Sequence, residues 1–278
     1  MRRRRALITA LAVTAVGLAV VLVFSPPLAQ KQASSAPKRA EEAELPVPVE
    51  PAFVPPKPVL LKRTKYRTRW AVVRHQTVAR RAPSATAAPV ATLAARTPEG
   101  TSNLVPVLET KVRSGPWARV LETRVRLGVW ARVLLPVLPN NSTGWVPRSA
   151  LGGYQFVTTH LVIDRRRLTA TLYRDGRAVF LAPVGVGRPE WPTPAGEFYI
   201  RNKLVKYSSP FYGPLAFGTS ARSEILTDWP AGGFVGIHGT SEPELIPGRA
   251  SHGCIRMRNE DIVELATLMP VGTPLTIR

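Results

Sequence analysis

From Trp70 to its C terminus, the chain consists largely of short β-prone runs separated by turn residues. WAVVR, ATLAAR and WARVL are examples from the first part of this region, and HLVID and TATLYRDGRAVFLAPVGVG from the second. Runs of this length bounded by Gly, Pro, Asn or Asp predict strands. Within the last of them, Asp175-Gly176 is a strong hairpin signal. The sequence therefore predicts a mainly β protein with few helices.

One helix is expected near the C terminus, in RNEDIVELATLMP. Asn259 is a candidate N-cap, acidic residues follow it in the first turn, and Pro270 ends the run. The spacing of the apolar residues places four of them on one face: Ile262, Leu265, Ala266 and Met269. PLTIR then predicts a closing strand.

Proline and charge divide the chain into segments. The 28 prolines of the 278 residues are concentrated in the first half, which indicates linker there. A hydrophobic content of 45% argues against general disorder. We expect a basic N-terminus with a transmembrane or signal segment at 1–24, a Pro-rich and basic linker at 25–69, and β domains at 70–151 and 154–278.

The chain opens with MRRRR and an uncharged apolar run from Ala6 to Phe24. This run is long enough to cross a bilayer of roughly 30 Å as a helix, and the arginines before it would stay cytoplasmic. The alternative is a cleaved signal peptide, although SPPLAQ makes a poor cleavage site, so the anchor is favoured. Both interpretations export the remainder, either anchored on the extracytoplasmic side of a membrane or secreted to the cell wall.

The formal net charge is +20, and no acidic residue occurs from Pro51 to Pro98. Nucleic acid is the usual partner of such a basic patch. Outside a membrane, anionic lipid or an acidic wall polymer is more available, so we expect no nucleic acid and a basic linker facing one of these two. A solvated basic tail is equally consistent with the composition.

A direct repeat lies in the first β region. LETKVRSGPWARV (Leu108 to Val120) is followed by LETRVRLGVWARV (Leu121 to Val133), which differs in only three positions. Two units are too few for a solenoid, so each is interpreted as strand, Gly-containing turn, strand, and the duplication as a lengthened hairpin. The whole region, which ends in NNSTGWVPRSAL, resembles a bacterial SH3-like domain, a small β-barrel often carried by wall enzymes.

Cys254 is the only cysteine, in ASHGCIRM. A free cysteine is usually a buried structural residue, but His252, Gly253 and Arg256 are not typical core neighbours. A lone cysteine cannot form an intramolecular disulfide and is open to oxidation outside the cell, which suggests that its reactivity is used. Its thiolate would need a base, and the candidates are His252 and His238.

The span IHGTSEPELIPGRASHGCIRM resembles the signature of the L,D-transpeptidase (YkuD) catalytic domain: an upstream His, a spacer, then Ser/Thr-His-Gly-Cys. A second element of that family, Thr-Pro-x-Gly-x-Phe, is similar to Thr193–Phe198 behind VGVGRPEWP. The resemblance covers roughly Phe156 to Arg278. It implies a YkuD-type β-sandwich catalytic domain, preceded by the SH3-like β-barrel and an N-terminal membrane segment.

The resemblance also implies roles for individual residues. Cys254 is similar to the family's nucleophile and His238 to its general base. The carbonyl of Gly239 would orient the imidazole, at a position where the family often has Ser.

Backbone N–H groups near His252, Gly253 and Cys254 would form the oxyanion hole, and Ser251 belongs to the same substrate-binding segment. Arg256 stands where the family commonly has Asn. It would either bind a substrate carboxylate or form a structural salt bridge.

The function implied is peptidoglycan L,D-transpeptidation, with stem peptides as substrates. Cys254 would form a thioester with the third residue of a donor stem, and an amine of a second stem would resolve it into a 3→3 cross-link. Water instead of the amine would give L,D-carboxypeptidase activity, and no metal or cofactor is expected. Two alternatives stay open. One is a Cys/His wall endopeptidase, which is disfavoured because papain-like enzymes place Cys before His in the chain, whereas His238 precedes Cys254 here. The other is a non-catalytic protein that binds peptidoglycan or a wall polymer.

Overall fold

A computed structural model describes residues 66–113, 128–209, 211–227 and 233–278, all within one compact unit. These residues form two β-sheets and one α-helix, so the prediction of a mainly β protein with few helices is confirmed. The predicted membrane or signal segment and almost all of the basic linker lie outside the described residues. Within the described part of the chain, no helix has the length and apolar character needed to cross a membrane.

The first sheet has seven strands, and every neighbouring pair for which a register is defined is antiparallel. The strands are β1 (Thr68–Val73), β2 (Thr77–Arg80), β3 (Pro89–Leu93), β4 (Leu104–Arg113), β5 (Gly128–Leu134), β6 (Thr143–Pro147) and β7 (Leu151–Val157). Their order is β3-β2-β6-β5-β4-β1-β7. Alternate aliphatic side chains on these strands are buried together and form a core of their own.

The duplicated segment contributes one strand from each unit to this sheet. β4 carries the start of the first unit and β5 the end of the second, and they pair with Thr110 opposite Ala131. The two halves of the repeat therefore meet in one antiparallel pair. The connection between them, residues 114–127, lies outside the described residues.

The second sheet has ten strands in mixed orientation, in the order β10-β9-β8-β17-β12-β13-β14-β16-β11-β15. The strands are β8 (Thr159–Asp164), β9 (Thr169–Arg174), β10 (Arg177–Pro183), β11 (Gly185–Gly187), β12 (Gly196–Ser209), β13 (Gly213–Arg222), β14 (Phe234–His238), β15 (Gly248–Ser251), β16 (Ile255–Arg256) and β17 (Pro274–Ile277). β12 pairs with β17 through its first four residues and with β13 through later ones. One core cluster takes side chains from the strands on both sides of β12 in this order, which is the arrangement of a sandwich.

The helix α1 (Asn259–Leu268) forms as predicted, and its apolar face is buried on the core of the second sheet. The N-cap predicted for it is wrong. Arg258 occupies the cap position without a side-chain capping bond. The Asn259 side-chain oxygen instead accepts a hydrogen bond from the backbone N–H of Thr240, at 3.0 Å, in the loop after β14. A partner distant in sequence thus takes the acceptor that a local cap would use.

The two sheets pack directly on each other through a small apolar cluster formed by Leu104, Leu108, Leu134 and Tyr199. The turn before β6 adds polar contacts: Asn140 exchanges two hydrogen bonds with the backbone of Arg222, at 2.8 and 3.0 Å. Beside it, the backbone N–H of Glu197 donates to the Asn141 side chain at 3.1 Å. Both asparagines are buried. This turn therefore fixes the first sheet against strands β12 and β13.

Candidate active site

The candidate nucleophile and base lie on adjacent parallel strands. The register of β14 and β16 places His238 opposite Arg256, so Cys254, just before β16, lies beside Gly236. Side chains alternate between faces along a strand, and residues directly opposite share a face. His238 and Cys254 therefore point to the same side. A Cβ on Gly236 would lie 3.8 Å from His238 Cδ2 and 3.9 Å from Cys254 Sγ, so the missing side chain leaves open the space between them.

Both side chains line one cavity of about 100 Å³. Tyr212 and Phe234 contribute aromatic walls to it, and Arg256 contributes a positive charge. Cys254 keeps part of its surface exposed. A substrate carbonyl that enters this cavity would therefore meet the thiol and the imidazole together.

His238 is buried and held in one tautomer. Its Nδ1 lies 2.6 Å from the carbonyl oxygen of Gly239, and because a carbonyl only accepts, Nδ1 carries the proton and Nε2 keeps its lone pair. Burial lowers the pKa of His238 to about 4; the Gly239 hydrogen bond opposes this effect, and the charge of Arg256 acts in the same direction as burial. The imidazole is therefore neutral at neutral pH and able to accept a proton at Nε2. The ring of Tyr212 packs edge-on against it, 4.6 Å between centroids.

The thiol of Cys254 accepts a hydrogen bond from the backbone N–H of Gly236, with N and Sγ 3.3 Å apart. Burial raises the pKa of the thiol, while that hydrogen bond and the charge of Arg256 act in the opposite direction. With the pKa of His238 lowered and that of Cys254 raised, the resting pair consists of a neutral thiol and a neutral imidazole. The proton therefore moves when substrate is attacked, and no standing ion pair is needed.

The loop before Cys254 is fixed by Ser251. The Ser251 hydroxyl donates to the carbonyl of Cys254 at 2.5 Å and accepts the N–H of Gly253 at 3.1 Å. Gly253 has φ +111°, in the region that favours glycine. Among the backbone donors predicted for the oxyanion hole, the N–H of Gly253 thus already donates to Ser251, which makes the N–H of Cys254 the better candidate.

Thr193, from the second family element, has a structural role that its motif does not reveal. Its buried hydroxyl accepts the N–H of Gly187 at 2.9 Å and donates to the carbonyl of Gly253 at 2.8 Å. It therefore ties β11 to the cysteine loop. The ring of Trp191, nearby in the chain, packs 4.7 Å from that of His252. Both histidines line the cavity that holds Cys254, and His238 is the one whose Nδ1 hydrogen bond leaves its Nε2 with a lone pair.

Of the two interactions expected for Arg256, the structure shows the structural salt bridge. Its Nη1 donates to Glu242 Oε2 at 2.8 Å, and the Glu242 side chain is half exposed. Glu242 lies in the spacer between the two motif elements, which carries no fixed residue types in the motif. The sequence therefore offered no signal for this partner.

Residues 158–277 match the family model described as the L,D-transpeptidase catalytic domain, YkuD. A Bacillus subtilis (strain 168) protein named as an L,D-transpeptidase, YkuD, is 36% identical over 118 residues, which are 42% of this chain and 65% of the relative. A Bacillus licheniformis protein of the same name is 38% identical over 39% of this chain and 59% of its own length. The chain thus spans less than two thirds of either relative.

Among solved structures, the NMR structure of the catalytic domain from the E. faecium L,D-transpeptidase is 26% identical. That alignment covers 43% of this chain and 96% of the other, with a TM-score of 0.34. The assignment therefore rests on sequence. On these sequence matches, residues 158–277 are similar to L,D-transpeptidase catalytic domains of the YkuD type.

Proposed function

We propose that this chain is a peptidoglycan L,D-transpeptidase that joins two stem peptides through a 3→3 cross-link. The observation that carries the proposal is the placement of His238 and Cys254 on one face of two parallel strands, in one cavity. The sequence matches over residues 158–277 support the same activity.

Acylation would begin with transfer of the Cys254 proton to Nε2 of His238. The sulfur attacks the carbonyl carbon of the third, L-configured residue of a donor stem, and the developing oxyanion is met by backbone N–H groups. The Gly239 carbonyl, already bonded to Nδ1, stabilises the imidazolium that forms. The C–N bond to the terminal D-Ala then breaks, and its amine leaves with the proton from His238.

Deacylation uses the same groups in reverse. The side-chain amine on the third residue of an acceptor stem gives a proton to His238 and attacks the thioester carbonyl. The new amide forms, the C–S bond breaks, and the sulfur regains its proton from the imidazolium. Water in place of the amine gives the tripeptide, which is L,D-carboxypeptidase activity.

The test is incubation of the protein with a disaccharide-tetrapeptide, followed by mass spectrometry. The expected products are free D-Ala, a cross-linked dimer and an acyl adduct on Cys254. Wild-type protein that releases no D-Ala and forms no adduct would refute the assignment.

For the rest of the chain, we propose an SH3-like wall-binding role for the first sheet and attachment to the outer face of a membrane through residues 6–24, with secretion as the alternative. The seven short antiparallel strands support the first idea, and the uncharged apolar run after four arginines supports the second. Binding of the protein to purified sacculi, with and without the first sheet, tests the wall-binding role. Equal binding of both forms would refute it.

A further inference from the structure

Phe234 forms part of the catalytic cavity and begins the strand that carries the base. Gly236 and His238 follow it at two-residue steps, so all three positions face the same side of β14. The N–H of Gly236 contacts the sulfur of Cys254. The position of Phe234 therefore sets both a wall of the cavity and the start of the segment that contacts the nucleophile.

Two arginines hold the ring of Phe234. The guanidinium carbon of Arg201 lies 3.7 Å from the ring centroid and that of Arg222 lies 4.9 Å from it. Arg201 comes from β12 and reaches Phe234 across β13 at Gly218, where a Cβ would lie 3.5 Å from its Nη2. Its side chain is only 2% exposed. A guanidinium so deeply buried requires a counter-charge.

That counter-charge comes from the first-sheet half of the molecule. Glu99 Oε1 accepts a hydrogen bond from Arg201 Nη2 at 2.9 Å, and Oε2 accepts one from Asn202 Nδ2 at 3.0 Å. The residue sits in a tight turn, closed by backbone bonds between Thr97 and Thr101 and between Gly100 and Thr97, each 2.9 Å long. Both carboxylate oxygens are thus directed at β12.

The carboxylate of Glu99 is charged at this interface. Burial alone would raise its pKa, but Arg201 and the surrounding hydrogen bonds outweigh that effect and hold the pKa below its ordinary value. Without this charge, the guanidiniums of Arg201 and Arg222 would flank one phenyl ring, and Arg201 would have no other ion pair among the described residues. Their mutual repulsion would then favour withdrawal of Arg201 from the ring.

We propose that Glu99 is a positioning residue for the catalytic cavity, which holds Arg201 against Phe234 and so fixes the wall beside Cys254 from the other sheet. The identity of the substrate rests on the proposed function, whereas the coupling from Glu99 to the cavity does not. The first sheet would thereby affect how tightly a donor peptide fits, without taking part in proton transfer.

Glu99→Gln is the variant that tests this coupling, because it keeps the shape and one oxygen acceptor but removes the charge. With the stem tetrapeptide, we expect KM to rise at least fivefold while kcat stays within twofold, since fit is lost and the Cys254–His238 pair is untouched. Glu109→Gln is the matched control. Its partner, Arg132, is in the same sheet, and both side chains are about one third exposed.

A second measurement works on the cavity whatever the natural substrate is. Cys254 is alkylated with iodoacetamide and with a bulky aromatic iodoacetamide, and the ratio of the two rates reports the width of the cavity. We expect Glu99→Gln to change this ratio at least threefold and to leave the iodoacetamide rate within twofold. In a Phe234→Leu background, Glu99→Gln should not change the ratio any further, because both changes act through the same ring. The double variant should therefore show the ratio of Phe234→Leu alone.

The outcomes separate the two proposals. Suppose that Glu99→Gln changes the alkylation ratio as expected, but the wild-type protein turns over no stem peptide. This result would refute the transpeptidase assignment and leave the positioning role of Glu99 standing. A ratio in Glu99→Gln equal to that of wild type and Glu109→Gln, or fully additive effects with Phe234→Leu, would overturn the positioning role.

Discussion

The two sheets of this molecule differ in how their strands run, and the chemistry follows that difference. Every pair with a defined register in the first sheet is antiparallel. The second sheet contains parallel pairs as well, among them β14 with β16. There, the candidate base His238 and the candidate nucleophile Cys254 come from two segments that run in the same direction to the same cavity. The parallel pairing is thus what brings together two residues 16 positions apart in the chain.

The sheets also differ in the burial and the partners of their arginine side chains. In the first, Arg69 and Arg148 stack on Tyr154 near the surface, with guanidinium carbons 4.5 and 4.2 Å from the ring centroid. In the second, Arg201 is buried and its charge is balanced from the other sheet. Changes to the residues of the second sheet that line or support the cavity should therefore alter the reaction, whereas changes confined to the first should leave it intact unless they reach Arg201.

The largest effect is expected for Cys254→Ala, which removes the attacking atom. D-Ala release and the acyl adduct should fall below detection, because no other thiol exists in the chain. Mass spectrometry of the product mixture measures both. Thermal melting should remain close to wild type, so that lost activity is not lost folding. An adduct that persists at another residue would contradict the assignment of the nucleophile.

His238→Gln should lower kcat by roughly 10²- to 10⁴-fold, the usual contribution of a positioned general base. His160→Gln is its matched control, since His160 lies on β8 and bonds Thr276 at 2.8 Å, outside the cavity. Steady-state rates of D-Ala release distinguish them. Equal loss in the two variants would show that the effect is structural.

The pH dependence of the reaction should reflect the burial of His238 in the second sheet, because the pKa of this residue is lowered to about 4. The base works when deprotonated, so kcat/KM should stay flat from pH 7 to about 5 and fall about tenfold per unit below pH 4. An acid limb centred near the ordinary histidine value of 6.5 would contradict the buried, neutral imidazole.

The same lowered pKa affects stability. Between pH 6.5 and about 4 the unfolded chain binds a proton at His238 that the folded chain does not, so the free energy of unfolding decreases as the pH falls. The loss is on the order of 3 kcal/mol. Denaturant titrations at several pH values measure it, and His238→Gln should flatten the slope in this window.

Thr193→Val should have an intermediate effect, about tenfold on kcat, because the cysteine loop loses its tie to β11. Two buried backbone groups lose a partner, which costs roughly 1–3 kcal/mol of stability. Thr273→Val is the control: its buried hydroxyl donates to the Pro270 carbonyl at 2.7 Å, away from the cavity. It should lower the melting temperature comparably and leave kcat within twofold.

The elements that sequence patterns predicted are those set by local rules. The hairpin at Asp175-Gly176 forms, with φ of +49° and +81° at its two central residues, and α1 buries the face that its spacing indicated. Asn259 shows where local rules end. Its type suits an N-cap, but Thr240, 19 residues earlier, competes for the same oxygen. A tertiary partner of this kind leaves no trace in the local sequence.

The residues of the site also divide into those that a local motif predicts and those set by partners distant in the sequence. The motif predicted Cys254 and His238 as the candidate nucleophile and base, because its spacing along the chain is fixed, and the structure brings both side chains to one cavity. Glu99 could not be found this way, since its partner Arg201 is 102 residues away and neither belongs to a motif. The buried role of Asn140 was missed for the same reason, as a turn residue is expected at the surface.

The smallest effect is expected for Glu109→Gln, which tests whether an ion pair within the first sheet matters to the reaction. Glu109 Oε1 and Arg132 Nη1 are 3.3 Å apart, and both side chains are about one third exposed. Solvent screens such a pair, so its loss should cost less than about 1 kcal/mol of stability. KM and kcat should stay within twofold of wild type, because among the described residues the side chain of Arg132 bonds Glu109 and Thr143, both in the first sheet, whereas Arg201 reaches Phe234 on β14. A larger change in KM, measured beside Glu99→Gln, would mean that the first sheet influences the cavity as a whole and not through Glu99 alone.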